Sequence, residues 1–201
     1  MQQMRRSPRA CVRLRSKSDR PEVLHELGRA SFQACYQRQQ GWNLIEKAIF
    51  AAGCFWHVQE AFVGLNGVIS TYAGYSGGNV PNPTYETVCT GRTGHAESVL
   101  VEYDPSVITY DQLLDEFWNM HDPTTPNRQG PDRGTQYRSA IFYTTEAQRE
   151  KALSSLERAQ SFTRFKGRKI VTELSPYSEF YRAEEYHQHY LRKNRSASCA
   201  I

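Results

Sequence analysis

Residues 48–58 read Ala48-Ile49-Phe50-Ala51-Ala52-Gly53-Cys54-Phe55-Trp56-His57-Val58, and within them an apolar strand pattern gives way to helical spacing at Phe55, Val58, Phe62 and Leu65. Gly53 lets the backbone turn tightly and lets a substrate approach. Cys54 stands at the helix start, where unpaired N–H groups and the positive end of the macrodipole favour thiolate over thiol. Two readings fit that position: a nucleophile, or a small buried hydrophobe, which is the commoner fate of a lone cysteine. Phe55 and Trp56 likewise read either as ordinary core or as an apolar wall that grips a small apolar group beside the thiol.

Working outward, residues 68–75 are strand-like and end in the turn Gly74-Tyr75-Ser76-Gly77-Gly78. The loop Val80-Pro81-Asn82-Pro83-Thr84-Tyr85 follows, its prolines limiting conformational freedom and holding Tyr85 in one orientation. Residues 98–103 alternate as a strand. Thr109 with Gln112 is a capping box for a helix carrying Leu113, Leu114, Phe117 and Trp118, which stops near His121-Asp122-Pro123. Residues 124–136 are a long polar loop of the kind that is often functional. Strand 139–143 precedes a helix opened by Thr145 and Gln148 and running to about Phe162, with Ala152, Leu153, Leu156 and Ala159 on its inner face. Residues 169–174 read as the last strand, residues 178–191 as a polar helix, and residues 196–199 as a flexible tail. This order predicts an α+β fold: a two-layer sandwich with a mixed sheet and a ferredoxin-like core, with extended loops and a C-terminal tail.

With 201 residues and 39% hydrophobic content the chain can bury one sizeable core, and without a run of about 18 apolar residues no membrane span is expected. The net charge of +4 is misleading, because residues 1–20 hold seven of the 25 Lys and Arg and one of the 21 acids. The remainder is slightly acidic, so no nucleic-acid partner is expected for the folded part. The first 20 residues, rich in Arg and Ser, resemble an organelle transit peptide. A disordered extension or an over-long start is the preferred reading of them, and the default location is cytoplasmic. The expected division is a basic extension at 1–45, a catalytic domain at 46–192 and a tail at 193–201. Cys11, Cys35, Cys54, Cys89 and Cys199 are too few and too scattered for a disulfide scaffold, which suits a reducing compartment and individually used thiols.

Cys199 lies in the flexible tail, either incidentally or because its thiol must travel to Cys54 as a resolving cysteine does after sulfenic acid forms. Cys89 is not at a helix start and reads as structural. Glu97, at the edge of an apolar strand, is either solvated or buried in its neutral, proton-donating form. Asp132 and Tyr137 bracket the end of the long loop, facing a pocket or serving as a turn residue and a core tyrosine.

Gly53-Cys54-Phe55-Trp56, Gly74-Tyr75-Ser76-Gly77-Gly78, Asn82-Pro83-Thr84-Tyr85, Thr93-Gly94-His95-Ala96-Glu97, His121-Asp122-Pro123 and Gly134-Thr135-Gln136-Tyr137-Arg138-Ser139 together resemble the peptide methionine sulfoxide reductase A family, in order, over about residues 45–192. The resemblance implies that Cys54 attacks the sulfoxide sulfur while Glu97 protonates the oxygen, with hydrogen bonds from Tyr85 and Tyr137. Phe55 and Trp56 match the pocket for the ε-methyl group, and Asp132 matches a residue that orients the substrate through water. His187 matches the C-terminal segment without an assigned role. Cys199 condenses with the Cys54 sulfenic acid, and thioredoxin reduces the disulfide. The implied substrate is the S epimer of methionine sulfoxide, free or in peptides, and the implied enzyme is a monomer needing neither metal nor organic cofactor, since thiols supply the electrons.

Two positions depart from the family pattern. His57 stands where many members have glycine, and the tail offers Cys199 without a second recycling cysteine. A different class of function, a thiol redox sensor using Cys54 and Cys199, has no need of Glu97, Tyr85 and Tyr137 around the thiol. A Cys/His hydrolase or a metal site built on Cys54 with His57 or His95 lacks a third partner.

Overall fold

The computed structural model describes residues 44–194. Cys11, Cys35 and Cys199 lie outside them, as do residues 1–43 of the expected extension and 195–201 of the expected tail. The elements run β1 (Glu46–Ala52), α1 (Phe55–Val63), β2 (Val68–Ser76), α2 (Tyr85–Cys89), β3 (Ala96–Tyr103), α3 (Tyr110–Met120), β4 (Arg128–Gln129), β5 (Asp132–Arg133), β6 (Ser139–Tyr143), α4 (Glu146–Gln160), β7 (Glu173–Pro176), β8 (Phe180–Arg182) and α5 (Tyr190–Lys193). Six strands form one sheet in the order β7-β6-β1-β3-β2-β8, and β4 with β5 makes a separate hairpin. Only the β6–β7 pair is parallel among these, so the fold is α+β with a mixed sheet.

β1 lies between β3 and β6, and Phe50 pairs with Val99 on one side and Ile141 on the other. A strand with neighbours on both edges and covered on both faces is apolar at successive positions, which is why residues 48–52 carry no alternation. Its even positions, Ala48, Phe50 and Ala52, join the core made with Phe62, Leu113 and Phe117 of α1 and α3. Its odd positions, Ile49 and Ala51, join Leu100, Ala140 and Phe142 on the opposite face. The Phe50 ring centre lies 5.0 Å from Phe62 and 5.4 Å from Phe117. Burying such a side chain contributes about 1.5–3 kcal/mol.

The capping box expected at α3 is present: the Thr109 hydroxyl accepts from Gln112 N–H at 3.3 Å, and Gln112 Oε1 accepts from Thr109 N–H at 2.9 Å. Thr145 likewise caps α4, accepting from Gln148 N–H at 3.2 Å. One α4 position differs from expectation. Leu153 is 40% exposed, while Ser155 is buried. The reason is Trp118, whose indole N–H is buried between the helices and donates to Ser155 Oγ at 2.7 Å. Hydrophobic spacing does not register a polar residue kept inside to satisfy a donor.

The chain after residue 168 departs further. Ladder pairing begins only at Glu173, because Val171 N–H donates to Pro123 O at 2.9 Å and Thr172 Oγ1 meets Ser139 Oγ at 2.8 Å. Residues 178–191, expected as a helix, instead supply β8, a 3₁₀ turn at Glu185–His187 and the start of α5. The edge of β2 takes them up: Gly74 pairs with Arg182, and the Gln188 side-chain amide continues the ladder by accepting from Ala73 N–H and donating to Ala73 O, both at 2.9 Å. These tertiary hydrogen bonds outweigh a weak local helix preference. The expected Tyr85 loop also ends in structure, the short α2, whose cap Thr84 accepts from Thr87 N–H.

Candidate active site

Between β1 and α1 the chain turns at Gly53 with φ of +94°, and a Cβ there would stand 2.6 Å from Gln129 Cβ on the β4–β5 hairpin. Glycine is therefore required twice, by the backbone and by the hairpin's close approach. The turn delivers Cys54 to the N-cap position of α1. A cavity of about 380 Å³ opens there, lined by Cys54, Phe55, Trp56, Tyr85, Glu97, Asp132 and Tyr137. Seven of the eight candidate site residues thus come together from α1, α2, β3, β5 and a 3₁₀ turn at Thr135–Tyr137. Cys199, the eighth, lies outside the described residues.

Glu97 is 1% exposed on β3, and its Oε2 accepts the Phe55 N–H at 3.0 Å. That donor is one of the N–H groups left unpaired at the start of α1. Burial pushes Glu97 up to about 8, against the pull of the Phe55 N–H and with a further push from Asp132. At neutral pH its carboxyl is therefore mostly protonated, in keeping with the reading of a buried donor. Cys54 behaves differently from the expectation of a ready thiolate. Burial and the nearby Glu97 push its thiol up to about 12, although the N–H groups of Trp56 and His57 pull the other way. The helix start does favour thiolate, but desolvation of the same pocket is the larger effect.

Tyr85 begins α2 and Tyr137 ends the 3₁₀ turn, and burial raises both phenols, first among several causes, so each remains a donor. The Tyr85 hydroxyl interacts with Cys89, an exposed thiol one helical turn on. Asp132 faces Gln129 across the hairpin, and both line the cavity. Phe55 is buried, with its ring 6.4 Å from Tyr85 and 5.0 Å from His187. The Trp56 indole stacks on Tyr190 at 3.8 Å and donates from Nε1 to His187 Nδ1 at 3.0 Å. That bond makes His187 Nδ1 an acceptor. Burial lowers the His187 pKa, so the ring is neutral.

A model of the family described as peptide methionine sulfoxide reductase matches residues 46–201. The chain belongs to the peptide methionine sulfoxide reductase family. The peptide methionine sulfoxide reductase MsrA of Methanothermobacter thermautotrophicus is 58% identical over 156 residues, 78% of this chain and 92% of that relative. Saccharomyces cerevisiae Mxr1 in reduced form superimposes with a TM-score of 0.71 at 39% identity, covering 77% of this chain and 88% of the other. Mxr1 solved in complex with Trx2 aligns with a TM-score of 0.52 at 29% identity, over 73% and 84% of the two chains.

Several residues around the cavity were not singled out by sequence. Met120 and Gln129 line it, Met120 one turn beyond Phe117 on α3 and Gln129 inside the long polar loop. Glu184 accepts the Tyr85 N–H from outside the cavity. No local pattern marks such long-range partners. His57 lines the cavity mouth and is exposed, while His95 is buried with Nδ1 accepting from Gly78 N–H at 3.1 Å and Nε2 at 2.8 Å from Val80 O. His95 is thus occupied in holding the loop before α2. Among the described residues no three His, Cys, Asp or Glu side chains gather as metal ligands. No helix among them is long and apolar enough to cross a membrane.

Proposed function

We propose that this protein reduces methionine-S-sulfoxide, free or in proteins, to methionine through a sulfenic acid on Cys54 and a disulfide recycled by thioredoxin, and so repairs oxidised proteins. The observation that carries the reading is a neutral, buried Glu97 held against the start of the helix that bears Cys54, with two phenols in the same cavity.

A sulfoxide oxygen is a strong acceptor, and the sulfur becomes electrophilic as that oxygen takes a proton. Glu97 supplies the proton, and the Tyr85 and Tyr137 hydroxyls hydrogen-bond the oxygen as charge develops on it. The Cys54 sulfur attacks, and its own proton passes to the carboxylate that Glu97 becomes, so a thiol raised to about 12 need not ionise beforehand. The sulfur–oxygen bond breaks, the oxygen moves to Cys54 and the thioether leaves: sulfoxide plus thiol gives thioether plus sulfenic acid. Phe55 and Trp56 grip the ε-methyl group, and Asp132 orients the substrate through water.

Regeneration follows when the Cys199 thiol displaces water from the Cys54 sulfenic acid to form a disulfide, which thioredoxin then reduces. The related Mxr1 in complex with Trx2 supports that partner. On this scheme thiols supply both electrons and no organic cofactor or metal enters. We assign the catalytic domain to residues 46–192, with an extension before and a tail after, in a cytoplasmic monomer. We also read the four central strands as a ferredoxin-like core in a two-layer sandwich. The order β6-β1-β3-β2 and the packing of α1, α3 and α4 into one core support that reading.

The deciding experiment is thioredoxin-dependent turnover of separated S and R sulfoxide epimers in a peptide, with Cys54→Ser as the blank. Turnover of S alone is expected. Activity retained in Cys54→Ser sinks the mechanism, and failure with both epimers despite a reactive Cys54 favours the redox sensor.

A further inference from the structure

Tyr85 is positioned by a residue that never enters the cavity. Glu184 lies beyond β8, 99 residues along the chain, and its Oε1 accepts the Tyr85 backbone N–H at 2.9 Å. Its Oε2 accepts the Tyr75 hydroxyl, also at 2.9 Å. Tyr85 is the first residue of α2, so its N–H is one of the donors that the helix itself cannot satisfy. The Thr84 cap takes the Thr87 N–H instead and leaves the Tyr85 N–H to Glu184. Burial works against the charged carboxylate, but the donors from Tyr85, its own backbone N–H and Tyr75, with His187 nearby, together more than offset it, and Glu184 is held below the usual range.

The carboxylate is itself anchored. Ala183 N–H donates to Ala73 O at 2.9 Å, and the Gln188 side chain bonds Ala73 N–H, Ala73 O and Ala183 O. The backbone on either side of Glu184 is thereby tied to β2. α2 has only five residues and follows a proline-bearing loop, so it has little stability of its own to hold a phenol in register. A rigid acceptor at its first N–H sets both its position and its direction.

We infer that Glu184 is a positioning residue for the reaction: its two-point grip on Tyr85 N–H and the Tyr75 hydroxyl sets where the Tyr85 phenol stands relative to Glu97 and Cys54. This rests on the function proposed above. Glu184 touches no reacting atom, and Tyr85 is the cavity residue whose backbone it holds directly.

The test is a double-mutant cycle on the full chain, read as the single-turnover rate at saturating S sulfoxide. Glu184→Ala removes both acceptors, whereas Glu184→Gln could keep both contacts by donating its NH2 to the Tyr75 hydroxyl. The alanine change is expected to slow the wild-type background by up to about 100-fold, the scale of a displaced catalytic group. In the Tyr85→Phe background, where there is no hydroxyl left to place, the same change should cost less than about twofold. Equal losses in both backgrounds, or no loss in the first, overturn the inference. Should Glu184→Ala fail to fold, Tyr75→Phe removes one leg of the grip with little change of volume. It must then show the same dependence on Tyr85, and an equal effect in both backgrounds overturns the inference. A wild-type enzyme that leaves S sulfoxide untouched refutes the proposed function itself, separately from the role of Glu184.

Discussion

Glu97→Gln removes a proton from the site while keeping nearly everything else. The amide has the shape of the acid, and its carbonyl oxygen can still accept the Phe55 N–H that Glu97 Oε2 takes at 3.0 Å. Burial raises the Glu97 carboxyl from 4.5 to about 8. At pH 7 about ten sites in eleven are therefore protonated, and above pH 8 the acid form falls roughly tenfold per unit. The wild-type single-turnover rate should be flat below about pH 7.5 and decline above 8. Loss of a general acid costs about 10²–10⁴ in rate, or roughly 3–5 kcal/mol of barrier. In Glu97→Gln nothing remains to receive the thiol proton, so the rate depends on preformed thiolate and rises with pH where the wild type falls. The thiol itself should titrate lower than in the wild type, because the Glu97 charge is one of the causes that raise it. Stability carries a matching sign. The folded wild type keeps a proton that the unfolded chain releases, so its stability falls as pH rises from 4.5 towards 8, and the variant lacks that slope. Rapid-quench turnover of an S-sulfoxide peptide from pH 6 to 9.5, with urea unfolding alongside, reads both. Equal rates for Gln and Glu refute the proton-donor role. A wild-type rate that climbs up to pH 8 and then levels off refutes the concerted transfer from thiol to carboxylate.

Cys199→Ser should yield one equivalent of methionine per enzyme and then stop, with thioredoxin unable to sustain cycling; undiminished cycling means that another thiol resolves the sulfenic acid. Gly53→Ala combines a positive φ with a 2.6 Å clash against Gln129. It should lose about 1–3 kcal/mol, which thermal unfolding would register as a drop of several degrees, together with slower chemistry. An unchanged melting temperature would remove the case for glycine there. Ser155→Ala strands the buried Trp118 N–H and should cost about 1–3 kcal/mol in urea unfolding, with single-turnover rates unaffected. A loss of activity without loss of stability would contradict a purely structural role for that bond.

The sequence by itself determined what is local. The strand-to-helix junction at Gly53-Cys54, the Thr109–Gln112 capping box, the α3 core face and the alternation through β3 all follow from neighbours a few residues apart, and backbone geometry translates such spacing directly into structure. The ordered motifs also identified the family and named seven residues that prove to share one cavity. Tertiary structure decided the rest. Whether residues 178–191 coil or lie along β2 depended on the unpaired edge of that strand, which Gln188 and Arg182 meet from more than 100 residues away. Whether Cys54 ionises readily depended on how far the folded walls exclude water, and desolvation there exceeds the pull of the helix start that the sequence reveals. The grips of Glu97 on Phe55, Glu184 on Tyr85 and His187 on Trp56 span 42, 99 and 131 residues. Periodicity states that a side chain is buried; only the closed fold supplies the partner that burial makes necessary, because an unpaired polar group is costly only once water has been removed.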